Sequence, residues 1–251
     1  MQRQLQILIV LGIACLALGS AVRAQDKPAK FSREEFQAKC KTLALVPVRI
    51  PKDIARYDSA RAEFDSLLTS ALQQAGFAVV PSKEYEEIRR QAIEEAGGLF
   101  DPLTGAPDTT KLKQVAARCR RELRAKFNAD AFLYASILPA KANFGSGKAQ
   151  WHGASQSLLK KGGIAGFFAS GRDYGGFLQA LSLVVVIDDT NGVDLYRHAG
   201  GIQVLRKFSG SDLVPVPKET ILADHERNQA AVSLALEPLL GKAAAKEEKE
   251  L

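Results

Sequence analysis

Hydrophobic positions along this chain change period several times, and the densest run marks the centre of the expected fold. Six of the eight residues of Leu181–Asp188 are Leu, Val or Ile, the composition of a strand covered on both faces. Asn191-Gly192 then supplies the positive backbone angles of a tight hairpin, and Val193–Val204 returns as a more polar partner strand. Everything before and after is expected to pack on this hairpin, Leu178–Val204.

Upstream, Thr42–Ile50 reads as the first core strand, with Pro47 placing it at a sheet edge or a bulge. Asp53–Ala75 carries Tyr57, Phe64, Leu67, Leu68, Ala71 and Leu72 at one-sided helical spacing, with Asp53 as a cap and Gly76 as a stop. Phe77–Val80 is a short strand ended by Pro81, and Ser82 is placed to cap a helix that runs to Gly97-Gly98. Leu99–Asp108 is turn-rich. Thr109–Phe127 is the clearest helix, with Leu112, Val115, Ala116, Cys119, Leu123 and Phe127 on one face.

Ala131–Leu138 reads as a buried strand, and Lys148–Leu158 as one further strand with Trp151 and His152 on opposite faces. Asp224–Leu240 is the last helix, with Asp224 as its cap and Pro238 in its last turn. The pattern predicts an α/β fold of the α+β variant: a single mixed sheet of about five or six strands with helices mainly on one face.

The ends divide the chain further. Arg3, the apolar run Leu5–Leu18 and Val22-Arg23-Ala24 read as a signal peptide, 1–24, cleaved after Ala24. A lipoprotein signal with Cys15 as the lipidated residue is the competing reading, against which Gly12 stands where Leu is preferred. Residues 25–40 form a flexible lead-in, with a short helix turn or two within Phe31–Lys39. Residues 41–241 make one α/β domain, and 242–251 a tail of balanced charge. The expected location is the periplasm or the secreted fraction, with no integral membrane span after signal cleavage.

Charge alters this picture little. The formal net charge of +6 falls to +4 once Arg3 and Arg23 leave, too small an excess to argue for nucleic acid. One helix face, Lys111, Lys113, Arg118, Arg120, Arg121 and Arg124, is a solvated surface or a contact for an acidic protein or an anionic envelope polymer. Cys40 and Cys119 remain after cleavage, either as a disulfide or as small buried residues.

Chemical signatures are missing. Gly145-Ser146-Gly147-Lys148 lacks the leading glycine and the following hydroxyl of a phosphate loop, since Ala142 and Ala149 stand there. No Cys-x-x-Cys, dinucleotide fingerprint or Gly-x-Ser-x-Gly elbow occurs. Asp101 and Asp108 lack the interleaved oxygens of a calcium loop. Turn geometry accounts for Asp188, Asp189 and Asp194. His152, His198 and His225 lie on separate elements, so an enzyme would need a site assembled by the fold, using His152 or His198 with an aspartate.

No catalytic residue, cofactor or metal is therefore assigned. The candidate binding segment is the glycine-rich stretch Lys160–Gly176, whose Ile164, Phe167, Phe168 and Tyr174, with Lys160, Lys161 and Arg172, suit contact with a partner protein or the membrane surface.

The phrases Gly76-Phe77-Ala78-Val79-Val80, Asn128-Ala129-Asp130 before a strand, and the Asp-terminated hairpin give Lys41–Val204 a resemblance to a group of exported α/β domains. These are similar to the TolB amino-terminal domain, with its anticodon-binding-like fold, the penicillin-binding-protein activator LpoB and the periplasmic domain of CsgG. The resemblance implies a non-enzymatic accessory role, binding an envelope protein or polymer. The alternatives are an envelope enzyme and a carrier of a small apolar ligand in a closed cavity.

Overall fold

The computed structural model describes residues 32–158, 175–209 and 212–241. The signal segment with Cys15 and the tail 242–251 lie outside the described residues.

Seven strands form one mixed sheet: β1 (Thr42–Leu45), β2 (Ala78–Val80), β3 (Ala131–Gly145), β4 (Lys148–Trp151), β5 (Ala154–Ser157), β6 (Gly176–Asp189) and β7 (Asp194–Val204). β1 pairs in parallel with β2 and β3, β3 runs antiparallel to β6 along nearly its whole length, and β6 pairs with β7. A separate hairpin, β8 (Arg206–Ser209) with β9 (Asp212–Pro215), follows. The sheet exceeds the expected strand number because Lys148–Leu158 is two strands. His152 and Gly153 both take positive φ, +39° and +75°, which closes a two-residue hairpin where one strand was predicted.

Five α-helices flank the sheet among the described residues: α1 (Arg33–Lys39), α2 (Tyr57–Gln74), α3 (Ser82–Glu95), α4 (Thr109–Phe127) and α5 (His225–Leu240). Three of them, α1, α2 and α5, cover one face. There Phe64, Leu68 and Leu72 of α2 and Ala235 and Leu239 of α5 pack on Leu43, Leu133, Leu183 and Ile187. The other two lie on the opposite face, where Ile88 and Ala92 of α3 and Val115 and Leu123 of α4 meet Ala44, Val80 and Phe132.

Local chemistry sets the boundaries. Ser32 and Glu35 form a capping box on α1, which buries Phe36, so packing begins ahead of the boundary read at residue 41. α2 starts at Tyr57, and Asp53 lies in the preceding turn rather than capping it. Asp108 caps α4 through Thr110 N and Lys111 N, and Asn128 closes it in the left-handed conformation. At Pro47 the predicted irregularity is present. Val46 N donates to Leu133 O and the next donation to β3 is Arg49 N to Ala135 O, three residues on instead of two. The displaced Val48 N–H is taken by Asp65 Oδ1 at 3.2 Å, while Asp65 Oδ2 accepts from Ser82 Oγ at 2.7 Å. Ser82 therefore ties α3 to α2 instead of capping its own helix.

Cys40 and Cys119 are free thiols, buried in different clusters on opposite faces of the sheet. The disulfide reading is corrected accordingly: the sheet stands between the two sulfurs. Burial pushes the Cys40 thiol up to about 11, helped by Asp130 and Asp189, and raises Cys119 as well. We expect protein lacking residues 1–24 to show no fast thiol reaction with an aromatic disulfide reagent when folded. It should show two equivalents in denaturant without reductant, and none there would mean a disulfide.

Candidate functional site

The loop residues favoured from sequence, Lys160, Lys161, Ile164, Phe167, Phe168, Arg172 and Tyr174, lie outside the described residues. The histidines occupy three places. His152 Nδ1 is 2.8 Å from Ser182 Oγ, but Ser182 is only 1 % exposed, so no substrate reaches that hydroxyl and the pair holds the β4–β5 turn to the sheet. His198 follows Tyr196 on the α5 face, and His225 Nδ1 is 2.9 Å from Glu63 Oε1. The aspartates read as turn residues are that in part: Asp189 Oδ1 accepts from Asn191 N and Val193 N, and Gly192 alone in this turn takes positive φ. No group of three metal-ligating side chains occurs among the described residues.

A surface that sequence reasoning missed is carried by the sheet itself. Cross-strand partners share a face, so the register aligns Arg49, in an isolated bridge beyond β1, with Ser136, Val184 and Ala199 of β3, β6 and β7. The neighbouring row is Tyr134, Val186 and Arg197, and Leu138 lies one step further along β3. These residues are on the α3/α4 side, because Phe132 of the same face is buried under α4. Helix cover reaches these rows at Tyr134, which packs against the α3/α4 cluster. Tyr134, Ser136, Leu138, Val184 and Val186 are half-buried, and Leu138, Val184 and Val186 belong to none of the three core clusters.

The far wall is the β4–β5 arm. β4 leaves the edge of β3 on the same side as β1, yet its turn reaches β7, two strands across on the other side. It therefore lies over this face. Trp151 Nε1 donates to Leu181 O at 3.1 Å, and Gly201 N donates to His152 O at 3.0 Å. Both bonds fall at a β-bulge, where β7 residue Ile202 has no counterpart between Leu181 and Ser182. Ladder groups that the bulge releases are thus satisfied by the arm. Trp151 caps the third cluster, with Ala142, Ala180, Leu178 and Val204 beneath it.

The rim of the open strip is cationic. Arg49 and Arg197 flank it on the sheet, Arg120 reaches Tyr134 and Asp188 from α4, and Arg89 lies beside Tyr85 on α3. Burial raises the Tyr134 phenol and pushes Tyr85 up to about 12, with these arginines opposing the shift. Asp188 is raised above the usual carboxylate range by burial and by Asp194, against Arg120 and Arg197. Beside the strip, Asp188 is disfavoured as an anion and Asp194 is paired with Arg197 at 3.1 Å.

A second feature, a cleft of about 540 Å³ lined by Lys39, Arg121, Arg124, Asn128, Asp130 and Thr190, also holds cations. Lys39 and Arg124 stand in the last turns of α1 and α4, where positive charge offsets the helix dipole. Asp130 Oδ2 is engaged by Lys41 N and Thr42 N at 2.8 and 2.9 Å. Capping electrostatics accounts for this cleft without a ligand.

Fold and face together define a mixed α/β domain with one sheet face covered by α1, α2 and α5 over its central strands and the other partly open. No helix among the described residues is long and apolar enough to cross a membrane. No family model matches the chain, and no curated protein matches it. Among solved structures it is similar to lipoprotein GNA1162 from Neisseria meningitidis, 15% identical, with 72% of this chain and 90% of that chain covered at a TM-score of 0.34. It is likewise similar to the PelC dodecamer from Paraburkholderia phytofirmans, 12% identical, covering 86% and 94% of the two chains at a TM-score of 0.34.

Proposed function

We propose that this chain is an exported, non-enzymatic accessory protein that binds another cell-envelope component through the half-covered sheet face. The observation that supports this most is the strip itself: Leu138, Val184 and Val186 stand half-exposed between two walls, outside every core cluster. The signal-like segment 1–24 and the resemblance to TolB-type and LpoB-type domains supply the compartment and the accessory role. The role needs no catalytic group.

Photo-crosslinking in cells tests it, with the reactive side chain placed at Leu138 or Val184 and, as a control, at exposed Lys113. We expect a discrete adduct, identified by mass spectrometry as an envelope component, from the two strip positions alone. Equal adducts from Lys113, or none from the strip in protein that fractionates with the envelope, would overturn the reading, as would retention in the cytoplasm.

A further inference from the structure

We infer that the partner occupies this face with an amphipathic α-helix, its apolar stripe on the strip and acidic residues at its ends and along the margin that faces α4. The inference rests on the docking reading above and adds the chemistry of the occupant.

Dimensions come first. From Phe132, covered by α4, to Leu138, opposite the Ser182 that holds the arm, is six residues of β3, about 20 Å of strand. A helix with its side chains is about 10–12 Å across, so one fits between the walls. Backbone chemistry selects a helix over an extended segment. The floor presents side chains of interior strands, and an extended peptide lying on them would leave its own N–H and C=O groups without partners. A helix satisfies those groups internally. Four strands side by side are about 14 Å wide, which some ten helical residues cross.

Layering points the same way, since α2 and α5 cover the other side of these strands and buried sheets are covered on both faces.

Charge then fixes the margins. Arg49 stands at one end of the strip and Arg120 on its α4 side, Arg197 at the other end is paired with Asp194, and Arg49 has no ion-pair partner among the described residues. A basic helix would meet like charge at Arg49 and along α4 at Arg120, which selects against it. The chain's own remaining segments do not match this rim. Lys160–Gly176 carries Lys160, Lys161 and Arg172 against one Asp173, and Lys242–Leu251 balances three Lys with three Glu and has a single large apolar residue.

The test is fluorescence anisotropy with a labelled synthetic helix of about 18 residues, long enough to be helical alone, with Leu on one face and Glu beside it. Two companions are needed: the same peptide with Lys for Glu, and a scrambled sequence of the same composition. We expect the acidic amphipathic peptide to bind and the companions not to. Affinity should fall about tenfold or more in Arg49→Glu/Arg120→Glu, and also in Val186→Lys, which alters the floor and leaves the rim intact. Lys111→Glu/Lys113→Glu on the outer part of α4 should bind like the parent.

Equal binding of the Lys peptide or the scrambled one would overturn the inference, as would an equal loss in the α4 control. Binding seen only after deletion of residues 160–174 would overturn it too, because the chain would then fill its own face. Should no peptide bind while the in-cell adducts from Leu138 and Val184 persist, the helical acidic partner is wrong and the docking reading stands. Loss of both removes both.

Discussion

Gly200→Ala is expected to abolish the native fold or cost more than about 3 kcal/mol in urea unfolding, the largest effect of any single methyl addition to this chain. A Cβ at position 200 would collide with Ala231 O and stand 2.8 Å from Ala235 N and 2.9 Å from Ala231 C. Those are backbone atoms of α5, which cannot yield without lifting the helix off β7. α5 is fixed from the same side, since Tyr196 Oη donates to Ala235 O at 2.6 Å and Ala231, Ala235 and Leu239 are buried. Gly201 does the converse job on the other face, where a Cβ would meet Ala154 Cβ at 2.6 Å and Trp151 O at 2.8 Å.

The adjacent pair thus admits a helix on one side of β7 and the β4–β5 arm on the other. Gly145→Ala is the control: nothing lies within 4 Å of its Cβ position and its φ is ordinary. It should stay within about 0.5 kcal/mol of the parent. Similar midpoints for Gly200→Ala and Gly145→Ala would refute the close approach of α5.

Much of this architecture is legible where a residue's neighbours in sequence are also its neighbours in space. Periodicity places α4 at Thr109–Phe127 and α5 at its Asp224 cap, and the apolar run of Leu181–Ile187 identifies the central strand. Failures occur where distant contacts decide. Lys148–Leu158 reads as one strand because His152-Gly153 is a less familiar turn pair than Asn-Gly, and nothing local marks the close approaches at Gly200-Gly201, which come from α5 and the β4–β5 arm.

The docking face is the extreme case. Arg49, Arg120, Tyr134, Val184 and Arg197 come from five separate stretches of the chain: the parallel Arg49–Ser136 bridge and the β3–β6–β7 register align four of them, and α4 brings Arg120 to Tyr134. A local signal does exist: β3 and β6 alternate buried and half-buried residues where the helices end. The run of three valines in β6 masks it, because Val184 and Val186 look as apolar as the buried Val185.

Trp151 offers the second large effect, and it couples the arm to that face. It is the single tryptophan of the chain and 6 % exposed, with its ring over the third cluster and its N–H on Leu181 O. Trp151→Ala should cost about 3–5 kcal/mol through the lost ring and the cavity left behind. Trp151→Phe keeps most of the apolar contact and strands a buried carbonyl at the bulge, for about 1–3 kcal/mol. Far-UV circular dichroism in urea reads both, since each variant also removes the fluorophore.

The ordering matters more than either value. If the indole bond secures the arm, the phenylalanine variant must fall measurably below the parent, and equal midpoints would show that Leu181 O needs no indole. Loosening the arm also takes away the far wall of the strip while Arg49, Arg120 and Arg197 stay in place. Trp151→Phe should therefore weaken binding of the acidic helical peptide less than rim reversal does, because charge steers the partner and the wall only confines it.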